Sequence, residues 1–203
     1  MNNETKVEIL LTNKSIDDLQ IPCLVLPFFS DEKPLKGING FADWRLNGNF
    51  SRQLEKNRVK GEPGEMTLVL TSKRLKAQNV LFLGLGKKEN LNPKLYQDGL
   101  NNLLGLLCKS KQSDFVLGLN YLLSPKEQSF WVADFILKNM KKKSRSLIPK
   151  KWTLLVEEKE LKSCFESLQH KFGNRLVFLV ENLPTEEKTR KPFTLRQAHV
   201  NVS

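Results

Sequence analysis

Asn79-Val80-Leu81-Phe82-Leu83-Gly84-Leu85-Gly86-Lys87-Lys88 is the stretch whose reading decides the fold of this 203-residue chain. Val80 to Leu83 is an unbroken apolar run with no period-2 alternation. A strand reads that way when both of its faces are covered, as in the centre of an α/β sheet. Gly84 closes the run. Asn92 and Pro93 follow as an N-cap and a first helical residue. Strand, glycine turn and helix thus come in sequence, and the rest of the chain extends the alternation.

Downstream, Leu95, Leu100, Leu103, Leu104, Leu106 and Leu107 supply a helix face through about Lys109. Asp114–Leu119 reads as a strand. Ser124-Pro125-Lys126-Glu127 is a capping box opening a helix expected to reach about Lys142. Trp152–Val156 is a strand, Glu157–Phe172 a helix with acids at its start and Lys171 at its end, and Arg175–Val180 the last strand. Upstream, Met66, Leu68 and Leu70 alternate within a strand over Glu65–Ser72, and Gly61 and Gly64 form the turn before it. Gly37–Val59 has helical spacing with breaks expected at Gly40 and Gly48. Cys23–Phe29 and Lys6–Leu11 are the first strands. The order β-β-α-β-β-α-β-α-β-α-β predicts one α/β domain over residues 1–182, a mixed sheet flanked by helices. Its second half should pair in parallel through right-handed crossovers. Residues 183–203 carry two prolines and little periodicity, and read as a flexible or docking tail.

Composition narrows the function. Hydrophobic residues are 39% and charged residues 27%, ordinary globular usage. Cys23, Cys108 and Cys164 are scattered with no CxxC pair, which points away from a disulfide framework; Cys23 and Cys164, in apolar strand or helix contexts, read as buried, inert thiols. Two histidines, His170 and His199, exclude a His-rich zinc site. No apolar run approaches a membrane span and no secretory leader is visible, so a cytoplasmic protein without membrane attachment is expected. No cofactor motif is present.

The net charge is +11. Lys138 to Lys151 holds seven basic residues and no acidic one. Lys141, Lys142, Lys143, Arg145, Lys150 and Lys151 are the candidate nucleic-acid contacts, with a solvated helix end and loop as the plainer reading. Gly84, Gly86, Lys87 and Lys88 are a candidate phosphate or nucleotide contact, because glycines let backbone approach a ligand and helix starts favour phosphate. The G-x-G-x-x-G pattern fails, since Glu89 stands at its sixth position. A tight strand exit is the structural alternative. In Asp43-Trp44-Arg45, Trp44 is expected in the core with Asp43 and Arg45 solvated. Asp31 and Glu32 are neighbouring loop acids with no histidine or third carboxylate close in sequence, which gives a metal or acid–base site little support.

Three segments together resemble the N-terminal domain of the leucine (cytosol) aminopeptidase family: Leu24–Phe29 with its acidic turn, Lys60-Gly61-Glu62-Pro63-Gly64-Glu65, and Asn79 to Glu89 with its GLGK ending. The resemblance spans about residues 5–182 and is strongest over 20–100. It implies a macro-like α/β fold. In the family the chemistry belongs to a C-terminal two-metal domain bearing an N-T-D-A-E-G-R motif. That motif is absent here, so no catalytic or metal-binding residue carries over, and a non-catalytic domain is expected. The resemblance suggests association with a second copy or with a full-length aminopeptidase. Nucleic-acid binding through the basic surface, and nucleotide or ADP-ribose binding by a macro-like fold, are the alternatives.

Overall fold

The structure, a computed structural model, describes residues 7–110, 114–140 and 148–181. Seven strands form one sheet: β1 (Glu8–Thr12), β2 (Cys23–Phe28), β3 (Met66–Leu70), β4 (Asn79–Gly84), β5 (Val116–Gly118), β6 (Lys151–Leu155) and β7 (Val177–Glu181). Five helices flank it: α1 (Gly37–Arg45), α2 (Asn49–Glu55), α3 (Pro93–Lys109), α4 (Pro125–Met140) and α5 (Glu158–Phe172). The strand order is β3-β4-β2-β5-β6-β1-β7. Every neighbouring pair is parallel except β3 with β4, so the mixed character comes from one antiparallel edge strand.

The decisive stretch explains the layering. In β4, Val80 and Phe82 face one side and Leu81 and Leu83 the other. On the first side lie α1 and α2, with Ala42, Leu46, Phe50 and Leu54 against Leu24, Leu26, Phe28 and Phe82. The Phe50 and Phe82 rings stack with centroids 3.6 Å apart. On the second side lie α3, α4 and α5, whose Leu103, Phe135, Ile136, Leu161 and Leu168 cover Ile9, Leu81, Leu117 and Trp152. Each of these side chains contributes about 1.5–3 kcal/mol on leaving water. Covering both faces is therefore the main energetic reason for the three-layer arrangement.

The caps fall as read from sequence. The Asn92 side chain accepts from the Leu95 amide at 3.0 Å, and Ser124 Oγ accepts from the Glu127 amide at 3.4 Å. Three expectations change. β1 starts two residues later than read, and pairs with β6 and β7. Gly40 does not break its helix: α1 runs through it, and the missing side chain admits the Leu35 carbonyl, which would lie 2.5 Å from a Cβ. The second break does fall beside Gly48: α1 ends at Arg45, and Gly48, at φ +65°, is the cap residue from which α2 starts. The third change concerns Trp44, which is 66% exposed, while Asp43 is buried. Asp43 accepts from the Phe50 and Ser51 amides at 2.8 and 3.2 Å, capping α2 from the preceding helix. Trp44, the next residue on the helix, then points outward, because residues one apart lie about 100° apart around the axis.

Candidate functional site

The carboxyl ends of the parallel strands frame two contrasting regions. The first is the corner where β4 ends. The turn at Gly61–Glu65 closes directly on the Gly84–Gly86 exit. Gly64 N–H donates to the Gly84 carbonyl at 2.8 Å, Gly84 N–H to the Glu65 carbonyl at 2.8 Å, and Gly86 N–H to the Gly61 carbonyl at 2.9 Å. Leu85 N–H donates to the Phe28 carbonyl at 2.9 Å, and Lys88 N–H to the Asp31 carboxylate at 3.2 Å. A Cβ on Gly84 would stand 2.4 Å from the Glu62 carbonyl oxygen, and Gly86 has φ +74° with the Pro63 ring against it. The two glycine motifs thus interlock.

The phosphate reading of Gly84, Gly86, Lys87 and Lys88 loses its backbone donors here, because the amides of residues 84, 85, 86 and 88 are engaged within the chain. The Lys87 and Lys88 side chains remain exposed, with Lys87 Nζ 3.9 Å from Glu89. Gly84 permits close backbone approach and Gly86 a positive φ, which a tight strand exit uses.

The second region is a cleft of about 220 Å³ at the ends of β1, β5 and β6. Ile16 and Lys14 follow β1, Tyr121 follows β5, Glu157 and Glu158 follow β6, and Ile38 and Phe41 project from α1. Parallel sheets open such crevices at the carboxyl ends of their strands. Its rim is acidic at the start of α5, where Glu157 pairs with Lys159 at 2.8 Å and Glu158 is exposed. Lys14 pairs with Glu181 at 2.5 Å. A wider depression of about 410 Å³ lies between α4 and α5, lined by Phe130, His170 and Lys171, away from the strand ends.

Behind the cleft is a buried polar cluster that sequence reading missed. Glu32 is only 6% exposed. Its carboxylate accepts from the Lys36 amide at 3.1 Å and the Asn120 side chain at 3.4 Å. Asn39 and Asn120 both donate to the Pro27 carbonyl at 2.9 Å. Gln128, fully buried, exchanges two 2.8 Å bonds with the Asn120 main chain. Asn39 Oδ1 is buried with no partner. Burial pushes the Glu32 carboxyl above the ordinary glutamate range, against these hydrogen bonds, which favour the charged form. Burial likewise pushes the Cys23 and Cys164 thiols up to about 11, matching the inert thiols expected there. No local signal marks the cluster, because Glu32 and Asn120 are 88 residues apart.

The basic candidates lie elsewhere. Lys141, Lys142, Lys143 and Arg145 fall outside the described residues. Lys150 and Lys151 are exposed at the amino end of β6, beside Glu8 of β1 and opposite the cleft. The sheet therefore holds them apart from Lys87 and Lys88. Among the described residues, no helix is long and apolar enough to cross a membrane, and no group of three His, Cys, Asp or Glu side chains could hold a metal.

The corner and the seven-strand order now stand beside a family match. The model of the cytosol aminopeptidase family, N-terminal domain, matches residues 25–141. The chain belongs to that family. The chain shares 28% identity over 114 residues with the probable cytosol aminopeptidase of Sulfurihydrogenibium sp. (strain YO3AOP1), covering 56% of this chain and 23% of that protein. With the probable cytosol aminopeptidase of Alkaliphilus metalliredigens (strain QYMF) it shares 32% over 97 residues, 48% of this chain and 18% of the relative. The chain thus matches a quarter or less of the length of these relatives, all of it within their N-terminal domain.

Solved structures place the fold among macrodomains. The macro domain of ganglioside induced differentiation associated protein 2 superposes with a TM-score of 0.63 at 12% identity, covering 83% of this chain and 85% of that one. A Trypanosoma brucei macrodomain in complex with ADP-ribose gives 0.57 at 16% identity, covering 77% and 67%. The expected macro-like α/β fold is the one observed.

Proposed function

We propose that this aminopeptidase N-terminal domain works by protein association and not by catalysis, with a second copy or a full-length aminopeptidase as partner. The observation that carries this reading is where the large apolar side chains reach water. Among the described residues they cluster at two places: Phe41 and Trp44 on α1, and Leu68 and Leu70 on β3. Phe41 and Trp44 stack at 5.8 Å with the Arg45 guanidinium over both rings, and Arg45 pairs with Asp17. An aromatic pair flanked by arginine is a common composition for a contact surface.

ADP-ribose binding, suggested by the macro-like fold, has weaker support. A diphosphate needs free amides and positive potential, whereas Glu157 precedes α5 and Glu158 and Glu160 stand in its first turn, and the amides of residues 84, 85, 86 and 88 are bonded within the chain. Nucleic-acid binding draws support from the net charge of +11 and the exposed Lys150 and Lys151.

The test combines light scattering for molecular mass, capture with a purified full-length aminopeptidase, and activity on leucine amide with added zinc or manganese. The expected result is a complex with no turnover. Robust chelator-sensitive turnover, or a monomer that captures nothing, would overturn the reading.

A further inference from the structure

One of the two sheet edges, that of β3, carries the most specific unassigned feature. β3 is the terminal strand, and β4 is its one neighbour in the sheet. The pairing sets the direction of its main-chain groups. Gly84 N–H donates to the Glu65 carbonyl, and Thr71 N–H to the Gln78 carbonyl at 3.2 Å. Odd-numbered residues of β3 therefore turn their amides and carbonyls toward β4, because such groups alternate along an antiparallel strand. Met66, Leu68 and Leu70 turn theirs outward. Among the described residues none of those three amides has a hydrogen-bond partner outside the ladder.

The side chains of the same residues share one face. Met66, Leu68 and Leu70 lie opposite Leu83, Leu81 and Asn79. Leu68 is 56% and Leu70 69% exposed. Exposed edges of soluble proteins are ordinarily blunted by charge, proline or a bulge. From Met66 to Ser72 this one has none of those residues.

The ends of the strand differ in charge. Glu62 and Glu65 precede it, and exposed Lys73 and Arg74 follow it. In an antiparallel pair with a second β3 centred on Leu68, Met66 faces Leu70, Leu68 faces Leu68, and all three outward-facing residues bond. The Lys73–Arg74 turn of each copy then approaches the Glu62–Glu65 turn of the other. Charges complement at both ends, and the centre is apolar and uncharged.

We infer that β3 pairs with the β3 of a second copy of this chain across a two-fold axis, joining two seven-strand sheets into one. A two-fold pair uses the same patch twice, as this self-complementary strand requires. The inference rests on the association reading and names its partner.

Hydrogen exchange followed by NMR across protein concentration, beside sedimentation of the same samples, tests it. Dimer formation is expected to protect the Met66, Leu68 and Leu70 amides as concentration rises from about 10 μM to about 1 mM, with Thr67 and Val69 protected throughout. L68K/L70K, which changes exposed side chains and should leave the melting curve intact, is expected to weaken dimerisation at least tenfold. F41A/W44A should leave it unchanged.

A monomer at about 1 mM would overturn the pairing, and capture of a full-length aminopeptidase would then decide the association reading separately. A dimer lost in F41A/W44A but kept in L68K/L70K would overturn the pairing while preserving association. Protection of the three amides that does not depend on concentration would mean that the chain covers its own edge, and would overturn it as well.

Discussion

The β4 corner and the β1/β5/β6 cleft sit at the same end of one sheet, yet they answer opposite demands. The corner carries the sequence motifs by which the family is legible, and it is closely packed: a Cβ on Gly84 would meet the Glu62 carbonyl and one on Gly86 the Pro63 ring, and the amides of residues 84, 85, 86 and 88 are bonded within the chain. The cleft carries no motif, and it is open, with a buried acid behind it and acids on its rim. A glycine signature therefore marks where backbones touch, whereas the groups able to meet a partner come from ordinary residues distant in sequence.

The contrast breaks first at Gly84. A methyl group there meets backbone at 2.4 Å, which no rotamer change relieves. G84A should lose about 3 kcal/mol in urea unfolding, the upper range for overpacking. G105A has nothing within 4 Å in the middle of α3, and should be neutral or gain up to about 1 kcal/mol. Equal effects for the two variants would mean that the corner is not locked.

The cleft is sharpened by pH. Folding raises the Glu32 carboxyl above its unfolded value. Such an acid contributes stability that is fully present below the unfolded pKa and is lost as pH rises through the folded one. E32Q, which cannot ionise, should match the parent near pH 4 and exceed it in stability near pH 8. Parallel stability–pH curves for the two proteins would show that Glu32 is not held in the low-dielectric cluster.

The smallest effect belongs to the exposed face of α1, beside the cleft-lining Phe41. A core tryptophan costs about 3–5 kcal/mol on truncation to alanine. W44A, at an exposed position, should cost less than about 0.5 kcal/mol. A larger loss would place Trp44 in a packed environment and remove it as a contact surface.

Much of the fold was legible. Caps at Asn92 and Ser124, the two-sided apolar run of β4 and the alternation in β3 each arise from neighbours within four residues, which is the reach of helix and strand periodicity. The cleft and its buried polar cluster were not legible, because Glu32 and Asn120 stand 88 residues apart. Trp44 was read inward because an aromatic at helical spacing ordinarily is. Asp43 took the inward position instead, since burying it satisfies two amides of the next helix.

The sequence by itself determined which segments become strands and helices, the coverage of both sheet faces, and the family, because local periodicity and glycine backbone geometry are encoded in adjacent residues. Tertiary structure alone decided that β1 enters between β6 and β7, that Glu32, Asn39, Asn120 and Gln128 meet in one buried cluster, and that β3, among the described residues, has β4 as its one strand neighbour. Those outcomes depend on pairing segments tens of residues apart, where hydrogen bonds between strands and the satisfaction of buried polar groups select one arrangement and leave no periodic trace along the chain.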